Sequence, residues 1–167
     1  MNKECNKEIN QYKTESCAYN EVFLEGMQET FAYMMCVGTK TLKFEIQVFF
    51  EKFLASYYNH KYFITGLFGI DERSGTEIAL EISVLTYEEQ NDFISYLRNI
   101  DLSKLNFPKS DLYKCCFYFI YFQWRTCKTF DQINAVISFA DFFKLYKIHK
   151  DLSQDDFCKM IENRFEK

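Results

Sequence analysis

The sequence predicts an all-α or α-dominant fold: one compact domain of about six helices around a buried central helix. Three observations carry this. Apolar residues recur at helical spacing along most of the chain. Box-like helix starts repeat: Thr86–Glu89, Thr129–Gln132 and, more loosely, Ser153–Asp156. Only 1 Pro and 5 Gly interrupt 167 residues. A chain of this length builds one domain with a sizeable core and is short for two. Residues 1–18, polar and without apolar periodicity, read as a flexible N-terminal segment, and 19–167 as the single globular domain.

Taken in order, Asn20 reads as the first cap. Leu24, Met27, Phe31, Met34 and Met35 then share a face, and Gly38 stands where a left-handed terminator would end the helix. A second helix starts near Thr39 or Thr41, carries Ile46, Phe49, Phe50, Phe53, Leu54 and Tyr57, and ends near Asn59.

Residues 60–85 fit two descriptions. Ser74-Gly75-Thr76-Glu77 opens a helix with Ile78, Ile82 and Leu85 on one face. Alternatively, Tyr62–Ile70 and Thr76–Leu85 form a β-hairpin at 61–85, turning at residues 71–75, which makes the fold α+β. The helix is preferred, because a lone hairpin is marginal and no third strand is visible nearby.

After Thr86 comes a helix with Phe93, Ile94, Leu97 and Ile100, and Asp101–Pro108 is a loop. Ser110 opens Leu112–Trp124, which is apolar on nearly every side. Such a helix is buried, and its length exceeds the usual strand of about 5–6 residues. Thr129 opens a helix carrying Ile133, Val136, Ile137, Ala140 and Phe143, and Ser153 opens the last, with Phe157, Ile161 and Phe165.

Composition narrows the function. The charged fraction is 26% and the net charge −4, with abundant Phe, Tyr, Ile and Leu, which excludes a disordered chain. The most apolar run, Cys115–Phe122, is far below the roughly 18–20 residues of a membrane span. No apolar leader follows Met1, so the expected location is cytoplasmic. The seven cysteines lack any C-x-x-C pair and read as small buried hydrophobes, so neither metal nor cofactor is expected.

Catalytic patterns are weak. His60 and His149 are the two histidines, and His149 near a helix C-terminus is favoured by the macrodipole alone. Gly66-Leu67-Phe68-Gly69 lacks the frame of a phosphate-binding loop. The basic-aromatic stretch Lys144, Lys147, His149 and Lys150 sits in a chain of pI about 5.3, which argues against direct nucleic-acid binding.

The expectation is therefore a non-enzymatic protein-binding inhibitor. Asp71, Glu72, Glu88, Glu89 and Asp92 supply a negative docking face, with Tyr87 and Tyr96 as aromatic anchors and a basic protein as partner. In size, charge and composition the chain resembles immunity proteins that cover the basic active face of a bacterial toxin such as a nuclease. No motif carries that resemblance. The alternatives are a helical interaction module or secretion chaperone with a hydrophobic groove and, third, an enzyme using carboxylates or a lone His.

Overall fold

The computed structural model describes residues 21–59, 74–83, 88–89, 91–92, 95 and 106–166. Among the described residues every regular element is helical and no strand occurs, so the fold is all-α. Seven α-helices are bounded there, against the six or so expected over the whole chain.

The chain enters through a 3-10 turn, Glu21–Phe23, into α1, Leu24–Cys36. The expected apolar face is the buried one: Leu24, Met27, Phe31, Met34 and Met35 all lie in the core. The proposed cap Asn20 lies outside the described residues. Gly38 does not end the helix. The backbone continues as a π-helical turn, Val37–Thr41, in which the Thr39 hydroxyl donates to the Met35 carbonyl at 2.8 Å. The left-handed residue comes later, at Lys43 (φ 64°). What Gly38 provides is space, since a Cβ there would stand 2.3 Å from the Phe49 ring.

The second helix, α2, runs Ile46–Leu54 and so begins later, and ends earlier, than the apolar spacing suggested. Its start is set by Glu45, whose carboxylate accepts from the Val48 N–H at 3.0 Å. Asn59 is a buried tie instead of a simple stop. Its carboxamide donates to the Leu54 carbonyl at 3.0 Å and to the Asp131 carboxylate at 2.9 Å.

Residues 75–82 are the helix α3, Gly75–Ile82, which excludes the hairpin's second arm. Ser74 accepts from the Glu77 N–H at 3.2 Å, the near half of the expected box. The first arm, Tyr62–Ile70, falls outside the described residues, as do Thr86 and the apolar positions Phe93, Ile94, Leu97 and Ile100.

The central helix is α4, Asp111–Thr126, capped by Ser110, which accepts from the Tyr113 N–H at 3.2 Å. It packs most extensively on α1. Phe119 stacks on Phe31 at 5.6 Å between ring centroids and meets Phe139 and Phe142 edge-on at 4.9 and 5.0 Å. Such offset and edge-on pairs add about 0.5–1.5 kcal/mol each beyond the area they bury.

One expected helix is two. α5, Phe130–Val136, starts with the full Thr129–Gln132 capping box. It stops at Ile137, whose backbone is extended (φ −140°, ψ 122°). Ser138 then caps α6, Phe139–His149, by accepting from the Asp141 N–H at 3.1 Å. The apolar rhythm runs through the break because Ile133, Ile137 and Phe139 all face the same core, whereas Val136, expected on that face, is exposed. The last helix, α7, is Gln154–Glu162, with Ser153 accepting from the Asp156 N–H at 3.1 Å.

Candidate functional site

Of the seven residues expected to form the docking face, three are described. Glu88, Glu89 and Asp92 are helical and exposed. At this spacing Glu88 and Asp92 share a face one turn apart. Asp71, Glu72, Tyr87 and Tyr96 lie outside the described residues, as does His60.

Three further acids, Asp151, Asp155 and Asp156, gather around the start of α7, and one of them is engaged by other side chains. The Tyr121 hydroxyl donates to the Asp155 carboxylate, and Arg125 pairs with the same oxygen at 3.1 Å. These contacts tie α7 to α4, so Asp155, although exposed like Asp151 and Asp156, has a structural task.

The basic-aromatic stretch of α6 is held largely within the molecule. Lys144 pairs with Asp141 at 3.4 Å, and Lys150 with Asp111 at 3.6 Å. The Lys147 ammonium sits over the Phe143 ring, 4.6 Å from its centroid. His149 is half-buried at the helix end, where its carbonyl accepts from the Leu152 N–H at 3.0 Å.

The buried thiols are the reverse of activated nucleophiles. Burial pushes Cys36 up to about 11, against the opposing pull of Lys40 and of the Ser110 hydroxyl. Burial likewise holds Cys115 and Cys116 well above the usual thiol range, and pushes Cys158 up. A reactive cysteine needs a stabilised thiolate. Among the described residues no group of three or more His, Cys, Asp or Glu is placed to hold a metal ion, and no helix is long and apolar enough to cross a membrane.

A cleft that the sequence did not single out lies where α4, α6 and the start of α7 meet. It is an open groove of about 350 Å³, lined by Tyr113, Lys114, Phe117, Tyr118, Tyr146 and Lys150. Gln154, the first residue of α7, also lines it. The four α4 residues, at i, i+1, i+4 and i+5, form a contiguous strip of one helix face, which was readable in the sequence. Their meeting with Tyr146 and Lys150 was not. Burial raises the phenols of Tyr113 and Tyr146 to about 12, and that of Tyr118 in the same direction. The Tyr118 hydroxyl donates to the Leu152 carbonyl at 2.6 Å.

No family model, no curated protein and no solved structure matches this chain.

Proposed function

We propose that the chain is a protein-binding inhibitor that neutralises a basic partner, most simply a bacterial toxin, by covering its basic active face. The observation that carries this reading is the exposure of Glu88, Glu89 and Asp92 together on a helical stretch. A net charge of −4 works in the same direction. Grouped negative charge speeds encounter with a positive surface and rejects acidic competitors. The state of the buried thiols also supports binding over covalent catalysis, since burial favours their protonated form.

The test is a partner captured from the source cell, purified, and assayed for its own activity with and without this chain. The reading expects loss of the partner's activity at equimolar ratio. It also expects affinity that falls with added salt and with Glu88→Lys, Glu89→Lys and Asp92→Lys combined. Binding indifferent to salt and to the triple reversal overturns it.

A further inference from the structure

We draw no further inference here: the strongest candidate, the open aromatic groove between α4, α6 and the start of α7, carries nothing because both lysines and acids face it, so that charge selects no ligand, and nothing in the structure shows what covers it.

Discussion

The Gln28 carboxamide donates to the main-chain carbonyl of Phe117, 3.0 Å away, across the seam between α1 and α4. Gln28 is buried on the otherwise apolar face of α1. The bond therefore fixes how far along α4 the first helix sits, which apolar packing alone sets less sharply. Gln28→Met keeps the volume and loses the donor. Its expected cost is about 1 kcal/mol, read as a lower urea midpoint at unchanged slope. An unaltered midpoint would show that the seam does not depend on this bond.

Close approach of backbones makes a second prediction. A Cβ at Gly75 would stand 2.6 Å from the Met34 nitrogen and the Thr30 carbonyl oxygen, both main-chain atoms of α1. At Gly38 the obstacle is the Phe49 ring, a side chain that can shift. Gly75→Ala is therefore expected to be the more damaging, at about 1–3 kcal/mol or above, the range for overpacking a tight site. Thermal melts of the two variants side by side check the order, and the reverse order contradicts this account.

The thiols should differ in reactivity as their burial differs. With Cys5 and Cys17 replaced by Ser, a disulfide reagent at neutral pH is expected to label half-buried Cys127 well before the buried Cys36, Cys115, Cys116 and Cys158. In denaturant all five should react together. Rapid labelling of Cys115 or Cys116 in the native chain would contradict the placement of α4 at the centre.

Alkali should unfold the protein. Burial raises Tyr113, Tyr121 and Tyr146 to about 12 from an ordinary value of 10.0; for Tyr121 the bond to Asp155 adds to the effect. The neutral phenol is the form the folded chain prefers. Stability from these groups is thus whole below pH 10 and is lost as pH rises from 10 towards 12. Urea midpoints measured across that window should fall, and phenolate absorbance should lag behind that of free tyrosine. Tyr113→Phe combined with Tyr146→Phe should flatten the decline. A midpoint that stays level up to pH 12 would refute the assignment.

Local signals read from the sequence hold where the element is closed by its own residues. Ser74, Ser110, Thr129 and Ser153 each cap the helix expected of them, because a cap is a bond between a side chain and an N–H three residues on. Boundaries fail where distant packing decides. Gly38 has the composition of a terminator, yet the Phe49 ring uses its missing side chain. Val136 to Ala140 keeps a helical rhythm across a real break, since both flanking helices face one core. The acidic residues were legible as charge, but only tertiary contacts distinguish Glu88 and Asp92 from the likewise exposed Asp155, which Tyr121 and Arg125 engage.

By itself, then, the order of residues determined that this chain is helical, which faces turn inward, and that Leu112–Trp124 lies at the centre. These follow from side-chain periodicity and capping, which act within a few residues. Tertiary structure alone decided that Lys114, Tyr146, Lys150 and Gln154 surround one cleft. They come from three helices, and the angles at which those helices cross are set by how aromatic rings interlock in the core, a property of the whole packing that no local pattern records.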